Sequence, residues 1–214
     1  MATDVALQGQ VLSDSRQNFS DGADQNVQLN PQGAVLVANS LLAEAEVARL
    51  GATFVAGTIT AVAPVAAMPT TASHLSLYCP SSGTKSLMIH SISAYTVVSA
   101  GAALVLQMAA HVTTVAVTSI TGTTAQTPKG ISGAGTATAT IFSAVTTVNN
   151  GNWHVVGQSV NAGAATATIA LGTYADVYGR YIINPGMHLD LAMLCSAAAS
   201  ATCSMFVTWS EVQL

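Results

Sequence analysis

Arg180-Tyr-Ile-Ile-Asn-Pro-Gly-Met-His-Leu-Asp-Leu-Ala-Met-Leu-Cys195, resumed after a run of small residues by Thr202-Cys-Ser-Met-Phe-Val-Thr-Trp-Ser-Glu-Val-Gln-Leu214, is the stretch that decides the fold. Asn184-Pro185-Gly186 is a turn signal, because proline presets φ and glycine supplies the positive φ of a type II turn. An extended segment is expected on each side. From there Met187, Leu189, Leu191, Met193 and Cys195 fall on one side of a pleated strand, with His188, Asp190 and Ala192 on the other. The pattern returns in Cys203, Met205, Val207 and Trp209, alternating with Ser204, Phe206, Thr208 and Ser210. Phe206 breaks the apolar/polar split, which suits a strand packed on a core on one face and touched by a neighbour on the other.

Upstream, the same texture extends back to Gly51. Thr53 to Val65, Ser73 to Tyr78, Ser86 to Val98, Ala102 to Val112, Thr136 to Val148, Asn152 to Val160 and Ala164 to Leu171 read as strands rich in Val, Ile and Thr. Glycine- and asparagine-bearing turns separate them, and Gln126 to Gly135 reads as a loop or excursion. Many short strands punctuated by turns predict an all-β fold, an antiparallel β-sandwich of jelly-roll type, over residues 51–214. Residues 1–50 read differently. Up to about residue 33 they hold Asp4, Asp14, Arg16, Asp21 and Asp24 among Gln, Asn, Ser and Gly, which predicts an extended N-terminal arm. Between Gly33 and Gly51 a short helix capped at Asn39 or Ser40 competes with an extended segment, and the helix is favoured.

Charge is the most informative part of the composition. Only 7% of the 214 residues are charged, against about 25% in an average soluble domain. Between Arg49 and Asp176 the sole charged side chains are Lys85 and Lys129. A chain so poor in charge is expected to pack against copies of itself or another surface. The net charge of -4 gives no basic footprint for nucleic acid.

Half the residues are hydrophobic, yet a spanning helix needs about 20 nearly continuous apolar residues. The best candidate, Ala94 to Val117, is broken by Ser99, Gly101, Gln107, His111, Thr113 and Thr114 and lacks basic or aromatic flanks. Aromatics at 5% are too few for the girdles of a membrane barrel. No membrane association is therefore expected. Met1-Ala-Thr-Asp-Val-Ala carries no secretion pattern. Cys195 and Cys203 have the spacing to pair across a hairpin, but buried free thiols in a reducing cytoplasm are the preferred reading for them and for Cys79.

Candidate chemistry is sparse. His74, His90, His111, His154 and His188 fall in separate strands without a metal-ligand spacing, and each reads as a histidine bonded at a strand surface or subunit contact. Of Asp176, Asp190 and Glu211, the last two lie on the final strands. They make a glycosidase-like carboxylate pair one reading and two solvated rim acids the preferred one. Trp153 and Trp209 are candidates to stack on a sugar, with a core or interface role as the default. Gly130 to Gly135 lacks the Lys-Ser/Thr of a phosphate loop. No catalytic residue, cofactor or metal is assigned, and the chain is expected not to be an enzyme.

Leu77-Tyr-Cys-Pro-Ser-Ser-Gly-Thr-Lys-Ser-Leu-Met-Ile89 resembles a recurrent segment of structural proteins from tailed-phage virions, with Cys79 where Asn is usual. The ending from Pro185 through Val207-Thr-Trp-Ser-Glu-Val212 is similar to the closing hairpin of the same proteins. The resemblance covers about a quarter of the chain. It implies a β-sandwich capsid decoration (cement) protein of a bacteriophage, a homotrimer binding the major capsid protein or another virion protein, assembled in the host cytoplasm. The alternative is a receptor- or carbohydrate-binding domain of a tail fibre or spike, which predicts aromatic clusters at loop tips.

Overall fold

A computed structural model of the chain describes residues 51–58, 60–69, 72–98, 104–126, 128–131, 135–146, 153–161, 171–195 and 201–213, all within the compact unit Ala43–Leu214. The expected arm and short helix of residues 1–50, and nearly all of the expected strand at 164–171, lie outside them.

Every regular element among the described residues is a strand. They are β1 (Thr53–Gly57), β2 (Ala72–Tyr78), β3 (Ser86–Val98), β4 (Leu104–Val112), β5 (Thr123–Gln126), β6 (Lys129–Gly130), β7 (Thr140–Thr146), β8 (His154–Asn161), β9 (Gly172–Asp176), β10 (Ile182–Ile183), β11 (His188–Cys195) and β12 (Thr202–Val212). They form two antiparallel sheets packed face to face. The first runs β10-β3-β12-β1-β6, with β9 also on β3; the second runs β5-β7-β2-β11-β4-β8.

The pairing is nested. β1 pairs with β12, β2 with β11, β3 with β9 and β10, and β4 with β8. First strand meets last, second meets next-to-last, and so on inward, which is a long antiparallel hairpin rolled into a jelly roll. Between β4 and β8 the chain lays β7, within the strand expected at 136–148, beside β2, and β6, within the stretch expected as a loop or excursion, beside β1.

The Asn184-Pro185-Gly186 turn carries the chain between sheets. Met187 donates its N–H to the Asn184 carbonyl at 2.9 Å and Gly186 has φ +84°, the type II geometry expected of Pro-Gly. A Cβ on Gly186 would also come within 2.9 Å of the Ala116 Cβ. The alternation read from β11 and β12 supplies both halves of the core. Leu189, Leu191, Met193 and Cys195 face Cys203, Met205, Val207 and Trp209, with Leu75, Leu77, Leu87, Ile89, Ile92, Leu106, Met108 and Ile141 around them, all essentially unexposed. Trp209 stacks on Phe54 with centroids 5.8 Å apart, so it is a core residue.

Two expectations need correction. β11 and β12 are not a hairpin: they lie in opposite sheets, because in a jelly roll consecutive strands alternate between layers. The strand expected from Thr53 to Val65 ends at Gly57. Beyond it Val62 bridges Cys203 in one sheet and Val65 bridges Leu194 in the other, so the chain leaves its strand in order to change layers. β9 is an addition to the expected strands: despite its Gly and Asp, pairing with β3 holds Gly172–Asp176 extended.

Candidate functional site

Two places hold the chemistry of the molecule, one buried and one exposed. The buried one follows from strand register. Ser76 on β2, Asp190 on β11 and His111 on β4 stand opposite one another in adjacent strands, and their side chains point away from the core, since Leu75, Leu189 and Ala110 beside them point into it. His188 shares that face, two residues before Asp190. All four side chains are nevertheless fully buried.

Asp190 is the hub. Its Oδ2 accepts from His111 Nδ1 at 3.0 Å, and its Oδ1 accepts from His188 Nδ1 at 2.9 Å and from Ser76 Oγ at 2.5 Å. Ser76 lies 2.6 Å from Ser73 Oγ. Burial pushes the Asp190 carboxyl up, but the hydrogen bonds from His111, His188 and Ser76 and the charge at His188 outweigh it and hold the group below its ordinary value. The His111 ring stacks on Trp153 at 5.4 Å. Among the described residues neither His111 Nε2 nor His188 Nε2 has a hydrogen-bond partner.

That geometry decides what the cluster can do. A nucleophilic triad needs a hydroxyl on the imidazole nitrogen remote from the acid. Here Ser76 donates to the acid itself. Two imidazoles oriented by one carboxylate resemble the support of a metal site, but no group of three or more ligating side chains occurs among the described residues. The arrangement fastens three strands of one sheet together through charge-assisted hydrogen bonds.

Asp190 and Glu211 are therefore not solvated rim acids, and they do not form a pair. Glu211 lies in the other sheet, 4% exposed. It accepts from the Thr138 N–H at 2.7 Å, the Thr138 hydroxyl at 2.8 Å and the Ala139 N–H at 3.0 Å, with Lys85 Nζ at 3.8 Å. Sequence periodicity hid this, because the groups that make burial tolerable come from distant strands.

The remaining histidines stay apart. His90 Nε2 is 2.5 Å from Ser210 Oγ, and His154 bonds the Tyr181 hydroxyl. His74 takes the place of a backbone partner where β2 parts from β11. Its Nδ1 accepts the Met193 N–H at 3.0 Å, so its Nε2 carries the proton donated to the Ala63 carbonyl, also at 3.0 Å. Burial lowers its pKa, opposed by the bond to Ala63. An imidazolium would set an N–H against the Met193 N–H. Below the ordinary histidine value of about 6.5 the unfolded chain takes up a proton that the folded chain refuses, so stability falls as pH drops through that range. His74→Gln is expected to flatten the stability-pH curve between pH 7 and 5 by up to one proton, measured by urea titration at stepped pH. Equal slopes for variant and parent would contradict the assignment.

All three cysteines are buried and free. Burial, with the Glu211 charge, pushes Cys79 up to about 11, and burial, with Cys195, does the same to Cys203. Cys79 and Cys203 are therefore protonated, poorly nucleophilic thiols. The glycine-bearing loop closes on itself through the Gly130 N–H and Gly135 carbonyl, 2.9 Å apart, and Gly130 pairs with Phe54 in the β1 ladder.

The exposed place is the outer face of the first sheet. Val55, Tyr95, Val97, Tyr174 and Phe206 stand on it, from 39% to 60% exposed. The Tyr95 and Phe206 rings meet at 6.2 Å and lie down on glycines: a Cβ on Gly57 would come within 2.4 Å of the Phe206 ring, and one on Gly172 within 2.8 Å of the Tyr95 ring. Glycine beneath an aromatic ring makes the surface flat. Of the outward residues on β1, β3, β9 and β12, Asp176 alone is charged. Sequence reasoning missed this face as a site, although Phe206 at a polar position of β12 was its signal.

No family model, curated protein or solved structure matches the chain.

Proposed function

We propose that the protein is a structural, non-enzymatic virion component that decorates or cements a phage capsid by binding between capsid subunits, as a homotrimer. The observation that carries this reading is the flat outer sheet face of Val55, Tyr95, Val97, Tyr174 and Phe206, aromatic and almost free of charge. Interface cores are depleted in charge and enriched in Tyr, Phe and Trp, and aromatic anchors supply most of the binding energy where they are found. Uncovered apolar patches on this scale are uncommon on free monomers.

The position of the aromatics favours this over a receptor- or glycan-binding tip. Tyr95, Tyr174 and Phe206 lie on strands, and among the described residues only Tyr178 of the exposed aromatics stands in a turn. The buried Asp190 cluster has a supporting role in this account, stiffening the sheet that backs the docking face.

Co-sedimentation with empty phage capsid shells is the test. The parent chain is expected to pellet with shells, and Val55→Glu combined with Phe206→Glu is expected to stay in the supernatant while keeping the parent's melting temperature. Equal pelleting of variant and parent, or no pelleting of the parent, contradicts the proposal.

A further inference from the structure

We infer that the cleft at Tyr174, Asp176 and Tyr178 receives the guanidinium of Arg180 from a second copy of the chain, so that Arg180 and Asp176 of two copies pair across the subunit contact. The inference rests on the self-assembly proposed above and names the polar contact within it.

The cleft is built by a tight turn. Val177 and Tyr178 both donate their N–H groups to the His90 carbonyl, at 2.8 and 3.1 Å, Gly179 donates to Ile89 at 2.7 Å, and Arg180 donates back to Val177 at 2.8 Å. These bonds hold Tyr178 at φ 43°, a left-handed conformation that bulky side chains rarely adopt. The conformation has a visible result. The Tyr178 hydroxyl reaches Asp176 Oδ2 at 3.0 Å, while Tyr174 donates to Oδ1, so one carboxylate is held between two phenol groups.

Asp176 makes no ion pair among the described residues, and each of its oxygens keeps a free lone pair. The rest of the lining, Thr53, Ser91, Thr208 and His90, adds hydroxyl acceptors and no Lys or Arg. Among the described residues the titratable neighbours are the two tyrosines and His90, whose Nε2 is bonded to Ser210. An acceptor-rich cleft with one uncompensated negative charge calls for a donor-rich cation. Its volume of about 200 Å³ is below the ~300 Å³ at which sites for small organic ligands begin and suits a side-chain head group. A planar guanidinium bonds a carboxylate in two places and lies against aromatic rings, which an ammonium does less well.

Arg180 closes the argument. It is exposed at the far end of the same turn and also makes no ion pair among the described residues. Opposite charges four residues apart on one rim, neither in an ion pair among the described residues, meet head to tail, Asp176 of each copy with Arg180 of the next, when copies gather round a symmetry axis.

Charge reversal in the full chain, read by sedimentation velocity, tests the pair. Asp176→Arg and Arg180→Asp are each expected to weaken self-association by about tenfold or more, and the two together to restore it to within a few-fold of the parent. Both positions are exposed, so melting temperatures should be unchanged. If the parent associates and the single variants associate equally well, or the double variant is no better than either single, the inference falls while the assembly stands. A monomeric parent overturns both. So does saturable binding of a methyl glucoside that perturbs Tyr174 and Tyr178 resonances and is abolished by Asp176→Arg, which would make the cleft a glycan site.

Discussion

Replacing Asp190 with alanine is expected to destabilise the fold by about 3–5 kcal/mol, the usual result of removing one partner from a buried charged cluster. At the ~2–4 °C per kcal/mol of a chain this size, the melting temperature should fall by roughly 6–20 °C. The reason lies in what would be left behind. The His111 and His188 Nδ1–H groups and the Ser76 hydroxyl would lose their acceptor inside a fully buried pocket. An unmade bond there costs far more than an exposed one.

Asp190→Asn should recover little. Its amide nitrogen would face an imidazole N–H, donor against donor. Ser76→Ala, which removes a single donor to a charged group, should cost less, about 1.5–3 kcal/mol. Differential scanning calorimetry of the three variants checks the order. An Asp190→Ala protein as stable as Ser76→Ala would mean that the carboxylate does not organise the cluster. The pH dependence has the same origin. Because the Asp190 carboxyl is held below its ordinary value, its contribution is complete above the unfolded value near pH 3.8 and is lost as pH falls through the lower folded one. It therefore disappears at more acid pH than the His74 contribution.

Trp209→Ala is the second large effect, again about 3–5 kcal/mol. Trp209 is wholly buried and stacks on Phe54 at 5.8 Å with an interplanar angle of 29°, so truncation opens a cavity between the sheets. Its Nε1 has no hydrogen-bond partner among the described residues. Trp209→Phe should then cost clearly less than Trp209→Ala, since the indole N–H contributes no bond to lose. Urea unfolding of both variants checks this, and equal losses for Phe and Ala would mean that ring volume is not what the site uses.

These two sites mark where sequence reasoning reached and where it stopped. The Asn184-Pro185-Gly186 turn, the alternation of Leu189, Leu191 and Met193, and the nearly uncharged strand texture were legible because turn chemistry and strand period are local. Trp209, read from the same alternation as a core or interface residue, is a core residue. The fate of Asp190 was not legible. His188 and Asp190, two apart on one face, were its only local trace, and the residues that make its burial tolerable, Ser76 and His111, are distant in sequence and adjacent only through the ladder. Pairing of β11 with β12 was misjudged because a small-residue connection reads alike whether it closes a hairpin or crosses between layers. On the exposed side, Phe206 was noticed as an exception to its strand's pattern. What no pattern disclosed was that Gly57, from the far end of the chain, lies beneath its ring.

The two sheets thus present unlike outsides. One carries buried polar residues that lock its strands, and the other offers a flat aromatic face with a single carboxylate at its rim. The proposed assembly depends on the second. Sedimentation equilibrium of the purified full chain at micromolar concentration tests it most directly. A mass about three times the 21.6 kDa of one chain is the result the account predicts, and a stable single-chain mass that persists as concentration rises would contradict it.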